Sequence, residues 1–118
     1  MRENIVRDKS FSFAIRVVNL YKYLTVEKKE IVLSKQLLRS GTSVGAMIRE
    51  SEFAESKIDF NHKLAIAQKE INESIYWIEL LHQTEFITDE QFESLNNDAV
   101  EIIKIITSSI KTSKGIKH

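Results

Sequence analysis

The segment RSGTSVGAMIRES at residues 39–51 constrains the fold of this chain more than any other feature. It holds two of the chain's three glycines, Gly41 and Gly45, among mostly small residues. The chain has no proline, and apolar residues recur with helical spacing on both sides of the segment. Two positions four apart lie on one face of a helix, so this face is nearly bare backbone. Either another element packs very close to it, or the helix bends there.

The composition favours one globular domain without disulfides or thiolate metal sites. The chain has 118 residues, of which 42% are apolar, and it contains no cysteine. No apolar run reaches the ~18 residues that a membrane span needs. The first residues, MRENIVRDKSFSF, lack the apolar run and cleavage site of a secretory signal. We therefore expect one domain over residues 1–118, located in the cytoplasm and without membrane contact.

Apolar periodicity predicts four helices and a frayed C-terminal tail. The third helix follows Ser56 and Asp59, a variant of a capping box, and the fourth follows a full box at Thr88 and Gln91. Short breaks favour antiparallel neighbours, so we predict an all-α, up-down-up-down four-helix bundle. The approximate bounds are 8–24, 28–52, 56–84 and 88–112 for the helices and 113–118 for the tail.

The predicted inner face of the first helix follows from residues three and four apart. It consists of Phe11, Ala14, Val18 and Tyr21, widened by Val17, Leu20 and Leu24.

Charge is distributed unevenly along a chain whose net charge is zero. Residues 1–49 carry a net charge of +6, residues 50–103 carry −10, and residues 104–118 carry +4. Two interpretations remain open: solvated faces that compensate within one bundle, or a basic surface on one subunit that meets an acidic surface on the next.

The histidine motifs argue against a metal site. Glu79-x-x-His82 has the spacing of a di-iron ligand pair, and Asp59-x-x-His62 is a near match. Both lie on the third predicted helix, ~30 Å apart at 1.5 Å per residue, so they cannot share one metal cluster. No nucleophile elbow, phosphate loop or dinucleotide fingerprint occurs either. We expect no cofactor and no enzymatic activity.

Two groups of residues are candidates for interaction surfaces. Tyr76 and Trp77 are adjacent, so one of them faces away from the main core line and is a candidate interface anchor or a core edge with a wet polar tip. Arg16 and Lys22 are the candidate cations of a subunit interface.

A second, basic group gathers at the end of the bundle that holds both termini: Arg2, Arg7, Lys9, Arg49, Lys57, Lys111, Lys114 and Lys117. This basic pole would hold phosphates by counterion release, or its residues are simply solvated tails. Three acidic residues at the same end oppose nucleic-acid binding: Glu50, Glu52 and Glu55.

Several short segments resemble one known family. They are QLLRSGTSVGA at 36–46, SKIDF at 56–60, Lys63-Leu64, Lys69-Glu70, Glu73 and YWIELL at 76–81. The chain is identified by them as a member of the four-helix bundle proteins encoded in intervening sequences of bacterial 23S ribosomal RNA genes, often called the S23 ribosomal protein family.

The resemblance implies an up-down bundle, pentameric rings and no enzymatic activity. A similar, strongly basic bundle is the accessory protein of diversity-generating retroelements, which binds a reverse transcriptase and nucleic acid. This chain departs from the family at Met47 and Ser51, where an asparagine and a glycine are common.

These observations lead to two hypotheses on function. The first is a non-enzymatic homo-oligomeric bundle, a ring that serves as scaffold or adaptor for another macromolecule. The alternative is an RNA- or DNA-binding accessory protein, associated with a reverse transcriptase or with ribosomal RNA, that uses the basic pole.

Overall fold

The computed structural model describes residues 2–115, with side chains from residue 5 onwards. Its four helices are α1 (Arg2–Val26), α2 (Val32–Ser51), α3 (Lys57–Gln83) and α4 (Asp89–Ser113). No strand occurs within these residues, so the prediction of an all-α four-helix bundle is confirmed. The sequence predicted that α1 begins near Asp8, but the helix begins at Arg2. Of the predicted tail, residues 116–118 lie outside the described part of the chain.

The helices follow one another around the bundle in chain order. Each packs against its sequence neighbours, and α1 and α4 also pack together, which closes the bundle. Lys9 of α1 pairs with Glu101 of α4, whereas Arg16 pairs with Asp98, so residue numbers fall along α4 as they rise along α1. The same inversion relates α1 to α2, α2 to α3 and α3 to α4. The topology is therefore up-down-up-down.

One apolar core runs through the bundle, and all four helices contribute to it. Its largest fully buried side chains are Phe13, Leu24, Leu37, Ile48, Ile71, Ile78, Leu81, Ile102 and Ile106.

The inner face of α1 agrees with the prediction at Val17 and Leu24 and differs from it elsewhere. Phe11 is 51% exposed, and Ala14, Val18 and Tyr21 are only half-buried. Apolar residues occur on most sides of α1, so several stripes share helical spacing. Packing against α2 and α4, which periodicity does not report, selects the buried one. Its members are Val6, Ser10, Phe13, Val17 and Leu24.

The connection from α1 to α2 explains why α2 starts at Val32 rather than near residue 28. Lys29 has a φ of 57°, a left-handed conformation that ends a helix. The amide of Glu30 then donates to the carbonyl of Leu24 at 3.0 Å. The buried carboxylate of Glu30 accepts hydrogen bonds from the amides of Leu33 (2.6 Å) and Ser34 (3.2 Å). It therefore satisfies the free donors at the start of α2.

The connection from α3 to α4 has a similar stop. Glu85 has a φ of 67°, and the amide of Phe86 donates to the carbonyl of Leu81 at 2.9 Å. The predicted capping box then starts α4, because the amide of Gln91 donates to the Thr88 hydroxyl and the amide of Thr88 donates to the Gln91 side chain.

The start of α3 carries only half of a capping box. The amide of Asp59 donates to the Ser56 hydroxyl at 3.0 Å, as predicted. The shorter Asp59 side chain accepts instead from the amide of Glu55 at 3.2 Å, outside the helix.

Candidate interaction surfaces

The two glycines of α2 face α1 at very short range. A Cβ atom at Gly41 would lie 2.8 Å from Cγ2 of Val17, closer than side chains tolerate. A Cβ atom at Gly45 would lie 3.5 Å from the carbonyl oxygen of Ser10. Helix α2 is continuous through this segment. Gly41 therefore permits the close approach of the two helices, whereas Gly45 has room for a Cβ atom.

A buried hydroxyl pair lies on the other flank of α2. Ser40 Oγ and Ser74 Oγ are 2.9 Å apart, and neither side chain is exposed. Ser74 also lies 2.9 Å from the carbonyl oxygen of Glu70. Small polar residues thus bring α2 close to α3 as well, with their hydroxyls satisfied in the core. Sequence reasoning missed this pair because serines seldom mark a core face.

An ionic network joins α2 to α3 beside this pair. Arg39 lies 3.3 Å from the buried carboxylate of Glu70 and also pairs with Glu73. The indole N–H of Trp77 donates to Glu73 at 3.0 Å. The hydrogen bond from Trp77 and the nearby Arg39 guanidinium lower the pKa of Glu73, although partial burial opposes them. The Glu73 carboxylate in turn raises the pKa of Arg39.

The two candidate anchors differ in exposure: Tyr76 lies at the surface, and Trp77 packs partly into the bundle. Tyr76 is 57% exposed, while Trp77 is half-buried and tied to Glu73. Their rings meet edge to face with centroids 4.9 Å apart. Asn72 and Glu79, four residues before and three after Tyr76, are also exposed on the same side of α3. We call Asn72, Tyr76 and Glu79 the Tyr76 face.

The two candidate interface cations differ in their surroundings. Arg16 lies 2.6 Å from the carboxylate of Asp98 and 2.9 Å from the hydroxyl of Ser94, so it joins α1 to α4 within the subunit. Lys22 is exposed, and no described acidic group lies within ion-pairing distance of it.

An exposed apolar surface lies along the junction of α1 and α2. Phe11 is 51% exposed and Ile15, one turn later, is 48% exposed. The guanidinium of Arg49 on α2 lies 4.9 Å from the centroid of the Phe11 ring, a cation–π contact. Ala46, one turn before Arg49, is also exposed. We call Phe11, Ile15, Ala46 and Arg49 the α1–α2 face.

Three residues of the predicted basic pole make contacts within the subunit. Arg7 lies 3.8 Å from Glu52, Lys9 lies 3.1 Å from Glu101, and Arg49 covers Phe11. The lysines of the basic pole that have no acidic partner among the described side chains are Lys57, Lys111 and Lys114. The side chain of Arg2 and the whole of Lys117 lie outside the described part.

Charge separates between the two helix pairs. Helices α1 and α2 contain eight Lys or Arg and three Asp or Glu, a net charge of +5. Helices α3 and α4 contain five Lys or Arg and nine Asp or Glu, a net charge of −4. The asymmetry seen along the sequence therefore divides the bundle into a basic half and an acidic half.

The histidine motifs form no ligand set within the described residues. His82 lies 2.7 Å from Asp89, and its ring stacks on that of Phe92 with centroids 4.3 Å apart. Both contacts join the end of α3 to the start of α4. His62 is exposed. Among the side chains that the structure describes, no group of three or more metal-ligating residues occurs. None of the four helices, as described, has the length and apolarity of a bilayer span.

The fold and the residues of α2 and α3 agree with one protein family. The profile of the 23S rRNA-intervening sequence proteins matches residues 2–108. The chain belongs to this family, as the sequence resemblance predicted.

A solved structure supports the same assignment. It is a protein of unknown function from the S23 ribosomal protein family of Bacteroides thetaiotaomicron, 61% identical in sequence, with a TM-score of 0.93. The similarity covers 94% of this chain and 99% of that one. None of the curated protein sequences matches this chain.

Proposed function

We propose that this protein is a non-enzymatic cytoplasmic subunit of a cyclic homo-oligomer that serves as scaffold or adaptor for a macromolecular partner. The observation that carries the proposal is the division of the bundle into a basic half and an acidic half. Opposite charges on opposite sides of one subunit favour head-to-tail contact between copies.

The exposed apolar residues support one particular contact between the basic half of one copy and the acidic half of the next. The α1–α2 face of one copy would cover the Tyr76 face of the next, which places Phe11 and Ile15 near Tyr76. Large exposed side chains of this kind are typical anchors of interfaces. Lys22 and Glu79 would then supply charges of opposite sign at the rim. A head-to-tail contact closes into a ring when its rotation permits, and the family resemblance supports a ring of five.

Light scattering on wild type and two charge-reversal variants tests this function. Lys22→Glu should lower the mass of the assembly at micromolar concentration, because it puts a negative charge on the basic half. Lys104→Glu, an exposed reversal on the acidic half, is the matched control and should leave the mass unchanged. Arg16→Glu is a poorer probe because it also breaks the pair with Asp98 inside the subunit. A wild-type protein that is monomeric in physiological salt would overturn the proposal.

The alternative function is an RNA- or DNA-binding accessory protein, and one observation favours it. Lys57, Lys111 and Lys114 have no acidic partner among the described side chains. Binding through them would fall steeply with salt, and replacement of all three by Gln would flatten that dependence. Absence of binding to mixed-sequence RNA at low salt would eliminate this alternative.

A further inference from the structure

We propose that the end of the bundle at the α2–α3 connection binds an aliphatic monocarboxylate, such as a medium-chain fatty acid. A cavity of about 540 Å³ opens there, between the start of α1, the end of α2, the start of α3 and Ser109 of α4. Its volume lies within the roughly 300–1,000 Å³ typical of small-molecule sites. We call it the end cavity. The proposal concerns a single subunit and holds whether or not the protein forms a ring.

The inner wall of the end cavity is apolar and firmly held. Val6, Ile48 and Leu64 belong to the buried core and line the cavity. Ala54 and the half-buried Phe60 form further apolar wall. Because core side chains are closely packed, this wall offers a preformed surface for an alkyl chain.

The rim of the end cavity favours a negative charge. Lys57 lines the cavity, is exposed and has no acidic partner among the described side chains. It is also the first residue of α3, where the positive end of the helix dipole adds to its charge and the Asp59 carboxylate in the first turn offsets part of it. The acidic lining residue, Glu52, is 3.8 Å from Arg7 and is thereby balanced.

These features together define the chemistry of the ligand. One available cation fits one anionic group, and the apolar wall fits a hydrocarbon chain. Ser51 and Ser56 also line the cavity, but Ser51 donates to the carbonyl of Ile48 and Ser56 accepts from the amide of Asp59. A nucleotide or sugar would therefore find few free partners for its polar groups, at a cost in affinity. A carboxylate with an alkyl chain satisfies both parts of the cavity.

Calorimetric titration with three soluble probes tests the proposal. Sodium decanoate below its micellar concentration should bind with one site per chain. Decyltrimethylammonium has the same chain with a positive head group, and sodium butyrate has the same head group with a short chain. Both should bind at least tenfold more weakly. In methyl NMR spectra, decanoate should shift the signals of Val6, Ile48 and Leu64.

Variants separate the cavity from general surface binding. Lys57→Glu should weaken decanoate at least tenfold, whereas Lys69→Glu, an exposed reversal further along α3, should leave affinity unchanged. Ala54→Phe should fill the cavity and abolish binding, with circular dichroism and thermal unfolding as checks of its fold. The Lys57 variant keeps the test decisive if the Ala54 variant does not fold. Absence of decanoate binding at millimolar concentration, equal binding of the cationic probe, or equal affinity of Lys57→Glu would overturn the proposal.

Discussion

Gly41 of α2 lies so close to α1 that a Cβ atom there would stand 2.8 Å from Cγ2 of Val17. A Cβ atom at Gly45, one turn later on the same face, would lie 3.5 Å from the nearest atom of α1, which is an ordinary van der Waals distance. The two glycines therefore differ in function within the bundle. Gly41 is required by contact between helices, whereas Gly45 has room for a methyl group.

This difference predicts opposite effects of the same substitution. Gly41→Ala should destabilise the protein by about 1–3 kcal/mol, because Val17 is buried and its branched side chain has few alternative rotamers. Gly45→Ala should be neutral or stabilise by up to about 1 kcal/mol, because alanine favours helix more than glycine does. Urea unfolding of both variants gives the two free energies of unfolding.

A double-mutant cycle checks the cause. Val17→Ala removes the methyl groups nearest Gly41, so Gly41→Ala should cost less in that background than in wild type. If Gly41→Ala is equally harmful in both backgrounds, contact with Val17 is not the reason for the glycine.

The stop at the end of α3 predicts a stabilising substitution. Glu85 has a φ of 67°, a conformation that glycine adopts without steric cost. Glu85→Gly should raise the free energy of unfolding by roughly 0.5–1 kcal/mol, which thermal unfolding detects as a higher midpoint. Glu85→Ala removes the same charge but keeps a Cβ atom, so it should bring no such gain.

The environment of Glu73 predicts a dependence on acid. The hydrogen bond from Trp77 and the Arg39 guanidinium lower the pKa of Glu73 in the folded state. Glu73 therefore contributes stability above its unfolded pKa of about 4.3, and loses it as pH falls through the lower folded pKa. Trp77 is the chain's single tryptophan, so its fluorescence should report this protonation.

Two glutamine variants test this dependence. Glu73→Gln should remove the acid transition of Trp77 fluorescence and flatten the loss of stability below pH ~4. Glu93→Gln, an exposed neutralisation on α4 outside both proposed contact faces, should keep both. An unchanged transition in Glu73→Gln would show that another group titrates beside Trp77.

The fold was largely predictable because it depends on local signals. Apolar spacing located the four helices, and short breaks gave their antiparallel order. The box at Thr88 and Gln91 gave the start of α4. The buried face of α1 was predicted only in part: Val17 and Leu24 are buried as expected, but Phe11, which shares their helical spacing, is exposed.

The remaining features depend on the register between helices, which one sequence does not report. Arg39 meets Glu70 and Glu73 only because α2 and α3 pack at one particular offset. To predict the pair of Arg16 with Asp98, the register between α1 and α4 would have to be known. The left-handed residue Lys29 was missed because glycine, the usual marker of such a stop, is absent there.

The proposed ring requires that the α1–α2 face of one copy binds the Tyr76 face of the next. Phe11→Asp with Ile15→Asp should disable the first face and yield a monomer, and Tyr76→Asp should disable the second face and do the same. Both sites are exposed, so the subunit should remain folded.

Native mass spectrometry of the two variants mixed in equal amounts tests this claim most directly. Each variant retains the face that the other has lost, so a head-to-tail contact predicts a heterodimer of twice 13.7 kDa that cannot grow further. A mixture that stays monomeric, or either variant alone retaining the mass of the wild-type assembly, would contradict head-to-tail contact through these two faces.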